Sequence, residues 1–219
     1  MTTAPSNLRT NLATWTVPPW AVPAVSRQML DALPPEVYDP DFLGQFYQTT
    51  YFDSASRALR KARLAGKDYL TLRLRAYSPA TGAGGRYPPP SFTVSAKTTD
   101  TKFRSDIKAA VAAALLVEPV TDLWAQLLPP DLFGRLLALV GDAPLTAIVT
   151  VCCTRYAVED DNLRLTLDTN IGTDTGKCLP FGVLEFKALA GKPQPPGRLP
   201  TPGLRPLKLS KFLWATDWR

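Results

Sequence analysis

The chain has 219 residues, a hydrophobic content of 45% and a formal net charge of +6, from 25 Lys and Arg against 19 Asp and Glu. This length fits a single large β-barrel domain, and the positive charge favours an anionic partner over a cationic one. Histidine is absent, which excludes Ser-His-Asp and Cys-His catalysis, histidine zinc sites and phosphohistidine intermediates. The three cysteines have neither the number nor the spacing of a disulfide framework or a metal site.

The first third of the chain predicts strands and helices in alternation. Proline, glycine and capping residues set the limits of each element. In chain order we expect a strand from Leu8 to Val17, a helix from Pro23 to Leu33, a strand from Gln48 to Asp53, and a helix that Ser54 caps, that runs through Leu64 and that ends at Gly66.

The stretch from Asp68 to Tyr77 predicts a strand with one apolar and one ionic face. Leucines at every second position alternate with polar residues, and two of these, Arg73 and Arg75, point the same way. Taken alone, such a pair is more typical of a solvated outer face.

Three further segments repeat this pattern. Their polar faces carry Lys97 in the strand from Phe92 to Lys97, Arg164 and Asp168 in the strand from Leu163 to Asp168, and Glu185 with Lys187 in the strand from Val183 to Lys187. A sheet that closes on itself with these faces inward would form a barrel with a cation-rich lumen.

Between Ser105 and Val140 the apolar residues recur with the 3.6-residue spacing of a helix. This predicts a helical insert or lid packed outside the barrel. A strand from Leu145 to Tyr156 follows and places Val149, Val151, Cys153 and Arg155 on one face. Residues 78–90 are expected to form a loop between two antiparallel strands, and residues 191–206 a proline-rich connector.

No signal peptide or membrane span is predicted. The longest apolar run, Ala109 to Val117, is too short to cross a bilayer. We therefore expect a soluble, cytoplasmic protein, with a membrane partner supplied by another chain left open.

Several short motifs resemble, in order, those of VTC domains, the polyphosphate-polymerase modules of the CYTH-like, or triphosphate tunnel, superfamily. They are Tyr51-Phe52-Asp53, the Arg73/Arg75 pair, Arg155 before Ala157, Arg164-Leu165-Thr166-Leu167-Asp168, Leu184-Glu185-Phe186-Lys187 and Lys208-Leu209-Ser210-Lys211-Phe212. The resemblance implies an α+β fold: one domain over residues 1–219, built as an antiparallel eight-stranded β tunnel with flanking helices and a helical insert at about 105–140.

The resemblance also implies roles for individual residues. Glu185 would bind the metal, Mn²⁺ or Mg²⁺, although a salt bridge with Lys187 is the alternative. Either Lys102 or Arg104 would supply the cation that follows Lys97. The implied phosphate ligands are Arg73, Arg75, Lys97, Arg155, Arg164, Lys208, Ser210 and Lys211, and those implied to be catalytic are Arg73, Arg75, Lys97, Arg155, Arg164 and Lys211.

The implied activity is metal-dependent phosphoryl transfer on a nucleoside triphosphate, pyrophosphate or polyphosphate, most similar to that of a polyphosphate polymerase. This sequence lacks the usual first-strand lysine and has Ser95 and Cys153 where the family usually has glutamate and tyrosine. These departures keep two alternatives open, a non-catalytic polyphosphate- or nucleotide-binding module and an inorganic triphosphatase. No nucleic-acid partner is expected, because the arginines are not interleaved with stacking aromatic residues.

Overall fold

The computed structural model describes residues 9–36, 39–66, 68–78, 91–117, 121–189 and 204–217. Strands and helices alternate along the chain, and a 3₁₀ turn, Pro19–Ala21, precedes the first helix. The elements are β1 (Arg9–Val17), α1 (Val22–Ala32), β2 (Gln45–Ser54), α2 (Ala58–Ala65), β3 (Thr71–Ser78), β4 (Ser91–Lys97), β5 (Lys102–Ile107), α3 (Ala109–Val117), α4 (Thr121–Leu127), α5 (Pro130–Val140), β6 (Leu145–Glu159), β7 (Leu163–Thr173), β8 (Gly182–Leu189), β9 (Arg205–Pro206) and α6 (Lys211–Ala215).

The strands form one antiparallel sheet with the order β5-β4-β3-β2-β6-β7-β8-β1-β9. Within the described residues it has nine strands rather than the eight expected, because the two-residue strand β9 pairs with β1 at Trp15 and Thr16. The predicted α+β class with an antiparallel sheet and flanking helices is confirmed. The predicted loop at 78–90 and connector at 191–206 lie mostly outside the described residues.

The helical insert begins later than expected. Residues Lys102–Ile107 are strand β5, and the first helix of the insert starts at Ala109. Phe103 and Ile107 pack against the core, while Arg104 and Asp106 are exposed, which is strand alternation. Pairing with β4 therefore gives this segment the conformation of a strand. The prediction of a change to helix at Ser105 was wrong. None of the described helices is both long and apolar enough to cross a bilayer.

The cap of α2 also differs from the expectation. Arg57, not Ser54, precedes the helix, with a left-handed φ of 59°. The buried carboxylate of Asp53 accepts hydrogen bonds from the backbone N–H groups of Leu59 and Arg60 at 2.9 and 3.0 Å, while Ser54 Oγ accepts one from Ala58. Gly66 ends the helix at φ 72°, as its position predicted.

The chain divides into two compact units. The first holds β1, α1, β7, β8, β9 and β6 from Cys152 onward. Helix α1 packs Val25 and Met29 against Leu184 and Phe186 of β8 and buried leucines of β7. Each such fully buried side chain contributes about 1.5–3 kcal/mol to the fold. The apolar face of β7 and β8 is thereby covered, and their ionic face lies opposite.

The second unit holds β3 to β5, helices α2 to α6, β2 from Gln48 and β6 up to Val151. Its core contains the alternate residues Leu72 and Leu74 of β3 with Val94 of β4. Trp124 of α4 is fully buried and meets Phe52 edge-on at 5.1 Å between ring centroids. The helices therefore cover one face of β3 and β4, and Arg73 and Arg75 lie on the other.

Candidate functional site

In the second unit, the strands β3, β4 and β5 align their polar residues in cross-strand rows. Directly opposed residues in an antiparallel pair point to the same face, with Cβ atoms about 5 Å apart. The strand register gives three rows, which are Thr71-Lys97-Lys102, Arg73-Ser95-Arg104 and Arg75-Thr93-Asp106.

These rows bring together all the phosphate ligands predicted on β3 to β5. We call the set Arg73, Arg75, Lys97, Lys102 and Arg104 the β3–β5 cationic face. Lys102 and Arg104 both belong to it, so the two candidates for the cation after Lys97 do not exclude each other. The structure describes every residue of β3, β4 and β5, and Asp106 is the one acidic residue on this face of these strands.

Arg73 is held by a neutral partner. Its Nε donates to Ser95 Oγ at 2.6 Å, so the side chain is oriented without losing its charge. Burial, together with repulsion from Arg75 and Arg104, lowers the pKa of Arg73 to about 10. Two cations about 7 Å apart repel by about 2 kcal/mol at an effective dielectric of about 20. The free protein therefore contains an electrostatically strained cluster that an anion would relieve.

Tyr77 lies at the end of this cluster and was not among the predicted site residues. Burial raises the pKa of its phenol, but Arg75 and Arg104 outweigh burial and lower the pKa below its usual value. Thr49 and Thr93 complete the surroundings: Arg75 Nε donates to Thr49 Oγ1 at 3.3 Å and Thr93 Oγ1 to Asp106 Oδ1 at 2.9 Å.

In the first unit, the predicted phosphate ligand Arg155 forms a buried ion pair. Its Nε and Nη2 donate to the two carboxylate oxygens of Asp168 at 2.5 and 2.6 Å, and its guanidinium lies over the ring of Tyr47. Burial favours the neutral form, but Asp168 outweighs it and holds the pKa of Arg155 well above its usual value. Asp168 is fully buried, so this arginine is already neutralised within the fold.

The predicted metal ligand Glu185 is also paired. Lys187 Nζ donates to Glu185 Oε2 at 2.6 Å, which is the salt bridge that the sequence left as the alternative. Burial lowers the pKa of Lys187 and Arg155 adds to this, while Glu185 acts in the opposite direction.

Arg164, a further predicted phosphate ligand, contacts two carboxylates. Its guanidinium lies 2.7 Å from Glu36 and 3.3 Å from Glu159. We call Arg155, Arg164, Asp168, Glu185 and Lys187 the β6–β8 paired face, since each cation there has an identified carboxylate partner.

The three C-terminal predicted ligands lie next to α6. Lys208 is exposed, Ser210 is the N-cap residue and Lys211 is the first residue of the helix. Ser210 Oγ accepts from the backbone N–H of Leu213 at 3.4 Å. Their role toward phosphate stays a prediction.

The donor set around Glu185 does not fit a metal site built by the protein alone. Among the described residues no group of three or more acidic, histidine or cysteine side chains converges, and Glu185 already binds Lys187. Mg²⁺ commonly uses one or two carboxylates with substrate phosphates, so Mn²⁺ or Mg²⁺ stays a prediction, and no step below depends on it.

The pairing of Arg155 with Asp168 could not be read from the sequence, because it depends on which strands are neighbours and on side-chain reach. The pairing of Glu185 with Lys187 is the alternative that the sequence already offered. Tyr77 is a site residue that the prediction missed, and its strand parity, which is that of Arg73 and Arg75, is the signal that could have identified it.

No protein-family model and no curated protein matches the sequence. Solved structures do match. One is a candidate adenylate cyclase from Bacillus halodurans, with 15% identity, a TM-score of 0.52, and coverage of 81% of this chain and 79% of that one. Another is a candidate adenylyl cyclase from Hippeastrum, described as having a dominant triphosphatase activity, with 14% identity, a TM-score of 0.51, and coverage of 80% and 78%.

At these identities the similarity shows a shared fold. The CYTH-like, or triphosphate tunnel, superfamily that the sequence resemblance implied stays a prediction. The narrower assignment to VTC domains stays a prediction.

Proposed function

We propose that this protein binds a triphosphate or polyphosphate anion on the β3–β5 cationic face and transfers a phosphoryl group from it. The observation that carries the proposal is the row Arg73-Ser95-Arg104 with Arg75 beside it, in which Arg73 is held by a neutral hydroxyl rather than by a carboxylate. Arginine forks and lysine ammonium groups are the side chains that bind phosphate oxygens most strongly.

Phosphoryl transfer suits a site of this composition. The reaction asks the protein mainly to align the phosphate chain and to neutralise the charge that builds on its oxygens. Arginine and lysine do both without histidine, which this chain lacks. The substrates we propose are a nucleoside triphosphate, pyrophosphate or inorganic polyphosphate.

The acceptor of the phosphoryl group separates two forms of the proposal. Transfer to a growing phosphate chain is polyphosphate polymerisation, which the motif resemblance favours. Transfer to water is triphosphate hydrolysis, which is favoured by the triphosphatase activity ascribed to the Hippeastrum neighbour.

A non-catalytic phosphate-binding module is the second candidate function. The observation that favours it is the Glu185–Lys187 pair at 2.6 Å, which engages the carboxylate that metal-assisted transfer would use. Anion binding on the β3–β5 cationic face is common to both candidates.

The first test is thermal unfolding with inorganic tripolyphosphate at about 0.15 M salt, where surface charges are largely screened. We expect the parent protein to be stabilised by about 3 kcal/mol at a hundredfold excess over Kd. Arg73→Ala combined with Arg75→Ala should abolish most of this gain. Arg27→Ala combined with Arg135→Ala removes the same charge from exposed helix positions and should retain it.

The outcomes separate the candidates. An equal loss in both double variants, or no shift in the parent, would mean that the arginines line a solvated surface. If binding is confirmed, incubation with ATP or tripolyphosphate and Mn²⁺ distinguishes polyphosphate synthesis, phosphate release and binding alone.

A further inference from the structure

The three rows of the β3–β5 cationic face contain five cations and one carboxylate, that of Asp106. This carboxylate lies at the end of the row of Arg75, is exposed and accepts a hydrogen bond from Thr93 Oγ1 at 2.9 Å. The other two rows, which the structure describes at every position, contain no carboxylate. All residues of the three rows belong to the second unit.

Ser95 occupies the centre of the middle row, between Arg73 and Arg104. It is buried, and its Oγ accepts the hydrogen bond from Arg73 Nε at 2.6 Å. A carboxylate within reach of the same Nε would neutralise Arg73, as Asp168 neutralises Arg155 in the first unit. The hydroxyl instead orients Arg73 without cancelling its charge. Even with its pKa lowered to about 10, this guanidinium stays protonated at neutral pH.

This distribution of charge discriminates between two ionic forms of a phosphate chain. A Mg²⁺ ion bound to tripolyphosphate cancels two of its negative charges and so weakens its attraction to every cation of the face. The ion takes its remaining ligands from water or from carboxylates. Over the described residues of β3 to β5, the rows of Arg73 and Lys97 offer it no carboxylate, and their guanidinium and ammonium groups repel it.

We propose that the β3–β5 cationic face binds a phosphate chain as the polyanion free of divalent metal, in preference to its Mg²⁺ complex, and that Ser95 sets this preference. The inference rests on the proposed function and names the ionic form of its substrate. Ser95 acts through Arg73, so it is a positioning residue. Its neutral hydroxyl keeps the middle row positively charged and without a carboxylate for the metal.

The experiment is a calorimetric titration of the full chain with inorganic tripolyphosphate, once with EDTA and once with excess Mg²⁺, at the same ionic strength. The measured quantity is the ratio of the Kd with Mg²⁺ to the Kd with EDTA. The variants are Ser95→Glu, Ser95→Gln as the uncharged control of the same size, and Asp106→Asn. Urea unfolding of each variant without ligand checks that it folds.

We expect a ratio of at least about ten in the parent, because the complex carries two fewer negative charges opposite several cations. Ser95→Glu should lower the ratio to about one, since its carboxylate neutralises Arg73 and offers the metal an oxygen ligand. Ser95→Gln should keep the ratio of the parent, even where its larger side chain weakens the binding of both forms. Asp106→Asn, at an exposed position, should raise the ratio, because it removes the carboxylate of the face.

A parent that binds tripolyphosphate as tightly or more tightly with Mg²⁺ overturns this inference and leaves the proposed function standing. Equal ratios in Ser95→Glu and Ser95→Gln overturn the role of Ser95. If neither Ser95 variant folds, Asp106→Asn decides, and an unchanged ratio in that variant overturns the inference. A parent that binds tripolyphosphate under neither condition overturns the inference and the proposed function together.

Discussion

Arg73 and Arg155 show how the same side chain takes two roles in this protein. Arg155 forms two hydrogen bonds with the buried carboxylate of Asp168, and removing one partner of such a pair typically costs about 3–5 kcal/mol. Arg73 is oriented by the neutral hydroxyl of Ser95 and keeps its full charge for a ligand. Strand alternation predicted the face of both residues, but the partner of each depends on a neighbouring strand.

Tyr77 provides a spectroscopic reporter for the β3–β5 cationic face. Its pKa is lowered by Arg75 and Arg104, so neutralising these cations with tripolyphosphate should raise it. The measurement is tyrosinate absorbance during a pH titration. The absorbance of the Tyr77→Phe variant is subtracted from that of the parent, which removes the contribution of the other six of the seven tyrosines. An unchanged pKa in the presence of bound tripolyphosphate would contradict binding at this face.

The lowered pKa of Tyr77 also determines how this residue makes the stability of the fold depend on pH. The folded-state pKa of Tyr77 lies below the unfolded value of 10, so ionisation of the phenol favours the folded state. This contribution is complete above pH 10 and is lost as the pH falls through the folded-state pKa. Tyr77→Phe should lack it.

At the scale of elements, Asp53 joins β2 to the start of α2. The local sequence favoured Ser54 as the cap, since both residue types are good N-caps. In the fold, Ser54 Oγ accepts from the backbone N–H of Ala58, and the carboxylate of Asp53 accepts from the backbone N–H groups of Ser54, Leu59 and Arg60. Several residues separate donor and acceptor, so capping-box spacing did not reveal this arrangement.

We expect Asp53→Ala to lower the free energy of unfolding by about 2 kcal/mol or more, because the buried N–H groups lose a charged acceptor. Urea unfolding measures the change. Asp131→Ala in the exposed first turn of α5 is the matched control and should change stability by less than about 0.5 kcal/mol. Similar losses in both variants would show that Asp53 is not a specific cap.

For the molecule as a whole, the net charge is +6. The cations of the β6–β8 paired face have carboxylate partners. On the β3–β5 cationic face, burial and the charges of Arg75 and Arg104 lower the pKa of Arg73, so these cations repel one another.

Screening should therefore stabilise the free protein. Raising sodium chloride from about 0.05 to about 0.5 M shortens the Debye length and weakens repulsion among these cations, so Tm should increase. The Arg73→Ala, Arg75→Ala double variant should respond less than the Arg27→Ala, Arg135→Ala control. A parent whose Tm is constant or falls with salt would contradict the strained cluster.

The sequence by itself determined the antiparallel α+β class, the strand faces that carry ionic residues, and the absence of histidine chemistry, because alternation and composition are local properties. Only the tertiary structure decided that β5 extends to Ile107, that Asp53 caps α2, that Arg155 is neutralised and that Arg164 contacts Glu36 and Glu159. These four features depend on which residues of distant segments are brought together, and strand register and burial are set by the whole fold rather than by neighbours in the chain.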